Sequence, residues 1–285
     1  MDRILVATDF STRSDRALRR ATLIARRVGA SLTVVHVVDA DRPERLVAAD
    51  QAAALSALEE TAQTLRTGDE IAADPLVQVD DVHSGILNAA EQVGAHLIIL
   101  GPHRSRLRDV FIGTTVERVV RRSRFPLLVA IQAPSASYER TLLALDFDEA
   151  SKSAGRAALA MGIFERTDVV VMHAFDTPAE GMLRRAMDTT GAIDDYVASE
   201  RGQAVEKLHG LVRALGLPSH DQRVAAINGT PARSILESAR SQDAHLIVLG
   251  TNQRKGFERL LIGSVTEDVI RDAHRDVLII PTDEG

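Results

Sequence analysis

The stretch GAHLIILG at residues 94–101 returns as DAHLIVLG at residues 243–250, an offset of 149 residues. Each copy is a short apolar run of Ile, Leu and Val that ends in a glycine. Such a run is typical of a strand that is buried on both faces of a parallel sheet. Because so long a stretch rarely recurs by chance, the chain is predicted to contain an internal repeat.

Three further pairs of stretches match in the same order along the chain. They are RILVATDFS (3–11) with RTLLALDFD (140–148), SLTVVHVVD (31–39) with DVVVMHAFD (168–176), and FIGTTVERVVRRSRFPLLVA (111–130) with LIGSVTEDVIRDAHRDVLII (261–280). The offset grows from 137 to 150 residues, and segment 177–196 is the expected place of the added residues. We therefore expect two homologous domains, at residues 1–134 and 138–285, joined by a short linker around APSAS.

Apolar runs and amphipathic stretches alternate within each copy. In the first copy, strands are predicted at 3–8, 31–38, 76–80, 96–100 and 126–131, and helices at about 13–29, 43–67, 84–93 and 114–123. The predicted fold class is α/β, with a five-stranded, mostly parallel sheet in each domain and helices on both faces. In such sheets a ligand binds beyond the carboxyl ends of the strands.

The composition excludes several classes of function. The chain has no cysteine, which rules out disulfides and Cys-ligated metals, and no tryptophan. The net charge of −6 argues against a nucleic-acid partner. No apolar run reaches the roughly 18 to 20 residues of a membrane helix, so no membrane partner is expected. Because a strand pattern follows Met1 at once, without a signal peptide, a cytoplasmic location is expected.

The sequence also lacks the motifs of common enzyme classes. There is no G-x4-G-K-[S/T], no G-x-G-x-x-G after a strand, no H-E-x-x-H and no G-x-S-x-G. The nine histidines include no pair three or four residues apart, as a helical metal site would need. We therefore predict no catalytic residue and no metal ligand.

An aspartate follows the first strand of each copy, Asp9 in ATDFS and Asp146 in ALDFD. Its carboxylate can accept hydrogen bonds from a ribose hydroxyl or from an adenine amino group. It can equally cap the following helix or close the turn before that helix. The residues alone leave both roles open.

A glycine follows the fourth strand of each copy, and a second glycine with Thr or Ser precedes the next helix. The residues are Gly101, Gly113 and Thr114 in the first copy and Gly250, Gly263 and Ser264 in the second. A glycine before a helix lets free N–H groups face an anion, and the helix dipole adds attraction. The alternative is a capping box at 114–117 and at 264–267, which needs no ligand.

Together these motifs resemble the universal stress protein family in its tandem two-domain form, over nearly the whole chain. The resemblance implies two Rossmann-like domains of the adenine-nucleotide alpha-hydrolase-like kind. In the family's ATP-binding branch, the motif G-x2-G-x9-G-[S/T] holds the triphosphate, while the strand-one aspartate and the end of strand two hold the nucleoside. By this resemblance, Val37 and Ala174 lie against an adenine-like ring; the alternative is simple strand packing.

Both copies depart from that motif at its middle glycine, which is Arg104 in the first copy and Gln253 in the second. The first loop is also one residue short. A side chain at the middle position can push the phosphates off the backbone N–H groups. The loss of two such hydrogen bonds, of about 1 kcal/mol each, weakens nucleotide binding roughly 30-fold. Arg104 can instead hold a phosphate through its guanidinium, or belong to an arginine-rich surface loop.

The sequence therefore favours a stress-response regulatory or binding protein without catalytic activity and with degraded phosphate loops. The alternative is a protein that binds ATP or AMP, with Mg²⁺, and hydrolyses ATP slowly at a site in the second domain. The resemblance also implies that the two domains pair as a pseudo-dimer within the chain, through the strands at 126–131 and 276–281. A homodimer of the chain and an unknown protein partner stay open. Segment 177–196 either covers its own domain or meets that partner.

Overall fold

The structure is a computed structural model that describes residues 1–102, 115–178, 190–227, 229–253 and 263–283. Contacts between residues divide the chain into two compact units. Unit 1 includes Met1–Ser137 and His274–Pro281, and unit 2 includes Tyr138–Asn252 and Gly263–Ala273. In both units strands alternate with helices, which confirms the predicted α/β fold.

Unit 1 carries the first copy of the repeat. Its elements are β1 (Arg3–Ala7), α1 (Ser14–Val28), β2 (Ser31–Asp39), α2 (Glu44–Gly68), β3 (Ala73–Asp80), α3 (Val82–Val93), β4 (Leu97–Leu100), α4 (Thr115–Arg122) and β5 (Leu127–Val129), with β10 (Asp276–Asp283) beside β5. The strands lie in the order β3-β2-β1-β4-β5-β10. The pairs among β1 to β5 are parallel, and β10 runs antiparallel to β5.

The central strands of unit 1 are formed by the apolar runs that the sequence marks. All four residues of β4, Leu97–Leu100, are buried, as expected for a strand covered on both faces. The edge strand β3 starts at Ala73, earlier than predicted. The prediction missed its first residues because most of the strand is only half-buried and lacks a continuous apolar run. Gly29 ends α1 in the left-handed conformation, with φ of 70°, at the end predicted for this helix.

Unit 2 carries most of the second copy. Its elements are β6 (Arg140–Ala144), α5 (Glu149–Ala160), β7 (Asp168–Phe175), α6 (Thr190–Leu215), β8 (Ser219–Ala226), α7 (Pro231–Ser241), β9 (Leu246–Gln253) and α8 (Ser264–Asp272). The strands lie in the order β9-β6-β7-β8, and all their pairs are parallel. Most of the predicted insertion at 177–196 lies outside the described residues; α6 begins near its end.

The strand β10 is fixed in unit 1 by a buried ion pair. The fully buried carboxylate of Asp276 accepts hydrogen bonds from the Nε of Arg20 at 2.8 Å and from the N–H groups of Ile131 and Gln132 at 2.8 and 3.0 Å. Arg20 also donates to the carbonyl of Ala136 at 2.9 Å. These bonds tie α1, the linker and β10 together.

The register of β10 follows the predicted pairing of the two last strands. Val277 faces Val129, and Ile279 faces Leu127. Strand pairing between 126–131 and 276–281 is thus confirmed, while the domain boundaries at 134 and 138 stay predictions. Among the described residues, none of the helices is both long and apolar enough to span a membrane.

Candidate functional site

A pocket of about 370 Å³ opens at the carboxyl edge of the unit 1 sheet. Its walls come from the ends of β1, β2 and β4 and from the first turns of α1, α3 and α4. The lining residues are Ala7, Thr8, Asp9, Ser11, Arg13, Ser14, Val35, His36, Val37, Val82, Ile86, Leu100, Gly101, Pro102, Thr115 and Val116. The pocket therefore lies where the fold predicts a ligand site.

Strand register brings three of the predicted site residues to this edge. Ala7 of β1 pairs with Val35 of β2, so Asp9 and Val37 each follow two residues later. Gly101 comes directly after β4, which pairs with β1 on its other side. Asp9, Val37 and Gly101, which are far apart in sequence, thus line one pocket.

Asp9 closes the turn between β1 and α1. Its carboxylate accepts a hydrogen bond from the N–H of Ser11 at 3.1 Å and another from the Ser11 hydroxyl, and the guanidinium of Arg13 lies 3.9 Å away. Partial burial raises the pKa of Asp9, but the nearby hydroxyls of Ser11 and Ser14, the Ser11 N–H and the charge of Arg13 together lower the pKa by more, so the net shift is downward. Asp9 is therefore an ionised acceptor at neutral pH. It makes the predicted turn but does not cap α1, since the N-cap is Arg13.

Asp146 holds the corresponding place in unit 2 with different partners. It accepts a hydrogen bond from the N–H of Phe147 at 2.8 Å and lies 3.9 Å from Nδ1 of His173. The helix cap is Asp148, which accepts from the N–H of Ser151 at 2.7 Å. The predicted capping role thus belongs to the residue two positions later.

The first glycine of each loop is required by packing against a helix. A Cβ on Gly101 would lie 2.7 Å from the carbonyl oxygen of Arg13, and one on Gly250 would lie 2.8 Å from Cβ of Ala154. The sheet approaches α1 closely at Gly101 and α5 closely at Gly250, so neither glycine needs a bound phosphate to explain it.

The second glycine of unit 2, Gly263, is not required by packing against any of the described residues. Gly263 has a φ of −56°, and a Cβ there would have no atom within 4 Å. Gly263 is the N-cap of α8, and Ser264 is the first, exposed residue of that helix. The predicted capping box at 264–267 is therefore wrong, because the helix begins one residue too early for the Ser264 hydroxyl to cap it. Arg104, Gly113 and Thr114 lie outside the described residues, so the capping box at 114–117 stays a prediction.

The end of β2 packs against a glycine of α3. A Cβ on Gly85 would lie 2.6 Å from Cγ1 of Val37, so the absence of a side chain at Gly85 makes room for Val37. In unit 2 the counterpart of Val37 is Ala174, which is half-buried. Strand packing therefore explains Val37 without a ligand, although the same side chain also lines the pocket.

Two histidines are fixed by the strand-one backbone. Nδ1 of His36 lies 2.8 Å from the carbonyl of Thr8, and Nδ1 of His173 lies 3.0 Å from the carbonyl of Leu145. A phenylalanine ring lies beside each imidazole, with centroids 4.6 Å apart for Phe10 and His36. Sequence reasoning missed Phe10, whose φ of 59° is unusual for a residue with a side chain.

A polar cluster that the sequence did not predict joins two helices that line the pocket. The buried His83 of α3 contacts the carboxylate of Asp81, and its Nε2 lies 2.6 Å from Nη1 of Arg122 on α4. No motif spacing marks these residues, because the contact between α3 and α4 depends on the fold. Within the described ranges, no group of three or more His, Asp and Glu residues is placed to hold a metal ion.

The fold and the pocket define an α/β protein with a pocket at the carboxyl edge of a parallel sheet, where such folds bind their ligands. The model of the Universal stress protein family matches residues 1–130 and 137–281. The chain therefore belongs to the universal stress protein family and carries two tandem copies of its domain.

Relatives and solved structures agree with this assignment. A universal stress protein of Mycobacterium tuberculosis is 27% identical over an alignment of 285 positions, which covers 93% of this chain and 94% of the relative. One from Methanocaldococcus jannaschii is 29% identical over 149 residues, 50% of this chain and 82% of the relative. The crystal structure of a universal stress protein from Archaeoglobus fulgidus has a TM-score of 0.73 at 20% identity and covers 98% of both chains, which shows the shared fold.

Proposed function

We propose that this protein is a non-catalytic stress-response protein that binds an adenine nucleotide in the pocket of unit 1. The observation that carries the proposal is the assembly of Asp9, Val37 and Gly101 around one cavity of about 370 Å³. The volume is at the lower end of the range of small-molecule sites, roughly 300–1,000 Å³. The ionised Asp9 supplies an acceptor for ribose hydroxyls, and Val35, Val37 and Ile86 supply an apolar wall for a base.

Binding without hydrolysis agrees with the state of the polar groups in this pocket. Hydrogen bonds and Arg13 lower the pKa of Asp9, so its carboxylate is a weak proton acceptor. Nδ1 of His36 is bonded to the carbonyl of Thr8. Ser14, the buried hydroxyl of the pocket, lies 3.0 Å from the Thr8 hydroxyl and donates to the carbonyl of Ser11. These groups orient a ligand but do not activate a water molecule.

A second candidate is the alternative site in unit 2, with ATP, Mg²⁺ and slow hydrolysis. The exposed N-terminus of α8 favours it, since Gly263 has no packing role among the described residues and Ser264 is free to face an anion. In this proposal Asp146 and Ala174 hold the nucleoside, and Gly250 belongs to the scaffold.

The assembly of the chain is part of the same proposal. The antiparallel pair of β5 and β10 supports an intrachain pseudo-dimer of the two domains. A cytoplasmic location, a further homodimer and a protein partner that senses the nucleotide-bound state are also proposed.

Calorimetric titration of AMP and ATP tests which unit holds the nucleotide. We expect micromolar AMP binding that Asp9→Asn weakens about tenfold, because an amide is a poorer acceptor for ribose hydroxyls than a carboxylate. Asp2→Asn, an exposed control near the start of β1, should leave the affinity unchanged. The absence of binding up to millimolar AMP would overturn the proposal, and weakening by Ser264→Ala and Asp146→Asn instead of Asp9→Asn would move the site to unit 2.

A further inference from the structure

Arg13 brings a positive charge to the nucleoside end of the unit 1 pocket. Its guanidinium lies 3.9 Å from the carboxylate of Asp9, and its side chain is half-buried. The corresponding residue of the repeat is Ala150, so this charge belongs to the first copy alone. Arg13 lies beside Asp9 on the turn that follows β1, whereas Arg104 belongs to the loop that follows β4.

The main chain of Arg13 is fixed in place by the sheet. The close approach of Gly101 leaves no room for a side chain between β4 and the carbonyl of Arg13. The N–H of Arg16 also donates to that carbonyl at 3.1 Å. The backbone under Arg13 is thus held from two sides, while its long side chain reaches along the pocket wall.

The ion pair of Arg13 with Asp9 leaves the guanidinium able to bind a ligand. A separation of 3.9 Å is too long for a direct hydrogen bond, and a pair this exposed contributes little to stability. A guanidinium has five N–H donors and can hold a phosphate through two of them.

The two charges suit different substituents of a ribose. A carboxylate at this position accepts from a free hydroxyl but repels a phosphate, whereas an arginine attracts a phosphate. The ribose carries its 2′ and 3′ oxygens on neighbouring carbons. A nucleotide with one of them free and the other phosphorylated places a hydroxyl at Asp9 and a phosphate at Arg13.

We propose that Arg13 makes the unit 1 pocket selective for adenosine nucleotides that carry a phosphate on the 2′ or 3′ oxygen of the ribose. This inference rests on the proposed function, because it needs the nucleoside to lie against Asp9. In this proposal the phosphate on the ribose 2′ or 3′ oxygen determines which ligands bind tightly, and a 5′-triphosphate is not required.

Calorimetry with three ligands tests the selectivity: adenosine 3′,5′-bisphosphate, adenosine 2′,5′-bisphosphate and AMP. We expect one of the bisphosphates to bind the wild-type chain at least tenfold more tightly than AMP, as about one charge-assisted hydrogen bond provides. Arg13→Ala should reverse this preference, because Asp9 then repels the ribose phosphate without compensation. Arg13→Lys should retain part of it, since the charge stays and the two-bond geometry is lost.

Arg19→Ala is the matched control, because it removes one exposed arginine from the same helix outside this pocket. It should keep the full preference, and thermal unfolding of Arg13→Ala should match that of Arg19→Ala. Equal affinities of wild type for AMP and both bisphosphates would overturn the selectivity while leaving the nucleotide site in place. An equal weakening of all three ligands by Arg13→Ala would overturn it too, since Arg13 would then hold the 5′-phosphate. Failure of every ligand to bind wild type would overturn the proposed function itself.

Discussion

At the carboxyl edge of unit 1, His36 bonds the carbonyl that precedes Asp9, and in unit 2 His173 bonds the carbonyl that precedes Asp146. Each imidazole lies beside a phenylalanine ring in both units. The histidine, the carbonyl and the phenylalanine ring are therefore arranged alike in the two copies, whereas the turn is not, because Phe10 has a φ of 59° and α5 begins two residues earlier than α1 in the alignment of the repeat.

The side chains of the turn also differ in charge and size. Arg13 of unit 1 corresponds to Ala150 of unit 2, and the turn residue Ser11 corresponds to the helix cap Asp148. The turn of unit 1 thus carries a positive charge at Arg13, and the turn of unit 2 carries a negative charge at Asp148. The comparison teaches that the two copies keep the histidine, the aspartate and the first glycine at this edge, whereas the residues around the turn differ.

The largest expected effect concerns the last strands, where Asp276 corresponds to Pro126 in the first copy. Asp276→Asn removes the carboxylate that faces the buried Arg20, so we expect a loss of about 3–5 kcal/mol in the free energy of unfolding. Urea denaturation measures this loss. Asp272→Asn, on the exposed end of α8, is the control and should change stability by less than about 0.5 kcal/mol. A similar small loss for Asp276→Asn would show that the pair does not fix β10.

A second prediction separates the two first glycines. Gly101→Ala should destabilise by about 2–3 kcal/mol, because its Cβ meets the backbone carbonyl of Arg13, which cannot rotate away. Gly250→Ala should cost less, about 1–2 kcal/mol, because its Cβ has one close contact, at 2.8 Å from Cβ of Ala154, and its next contact is at 3.5 Å. Gly68→Ala, where nothing lies within 4 Å, is the control and should stabilise by about 0.5–1 kcal/mol. Equal losses at Gly101 and Gly250 in urea denaturation would refute this difference.

A third prediction exchanges a packing pair between the copies. Val37 corresponds to the smaller Ala174, and Gly85 corresponds to the larger, buried Ser234. The size that one position loses in the second copy is thus gained at the other position. Val37→Ala and Gly85→Ser should each destabilise by about 1–2 kcal/mol. The loss in the free energy of unfolding of the double variant should be smaller than the sum of the two single losses, by at least about 0.5 kcal/mol. A double-mutant cycle from chemical denaturation measures the coupling, and strict additivity would show that Gly85 does not make room for Val37.

The smallest expected effect is the pH dependence that Asp9 contributes. Its pKa in the folded chain lies below the ordinary value, so the carboxylate stabilises the fold above the unfolded pKa, and this contribution is lost as pH falls through the folded pKa. Because the side chain is largely exposed, the contribution is small, at most a few tenths of a kcal/mol. Wild type and Asp9→Asn should therefore differ slightly at pH 6 and converge near pH 3 in urea denaturation. A difference that grows toward low pH would contradict the direction of this pKa shift.

The sequence predicts the strands and the edge of the sheet because buried parallel strands leave a local signal. Runs of Ile, Leu and Val locate β1, β2 and β4, and the ends of those runs locate Asp9, Val37 and Gly101. The edge strand β3 is less well predicted, since a half-buried strand lacks that signal.

The remaining features depend on contacts that no local pattern records. Arg20 and Asp276 are 256 residues apart, and each taken alone looks like an ordinary surface charge. His83 and Arg122 meet because two helices pack together, and the conformation of Phe10 follows from its turn. The capping box at 264–267 is wrong for a related reason: its spacing fits a helix that starts one residue later than α8 does.

The position of β10 in unit 1 also affects how the chain is made. A ribosome finishes β5 well before it reaches residue 276, and at usual rates of synthesis the interval is roughly 7–30 seconds. During that time the free edge of β5 and the buried side of Arg20 have no strand to cover them. An uncovered strand edge pairs readily with other chains. The nascent chain thus exposes this strand edge until the final strand of its sheet has been synthesised.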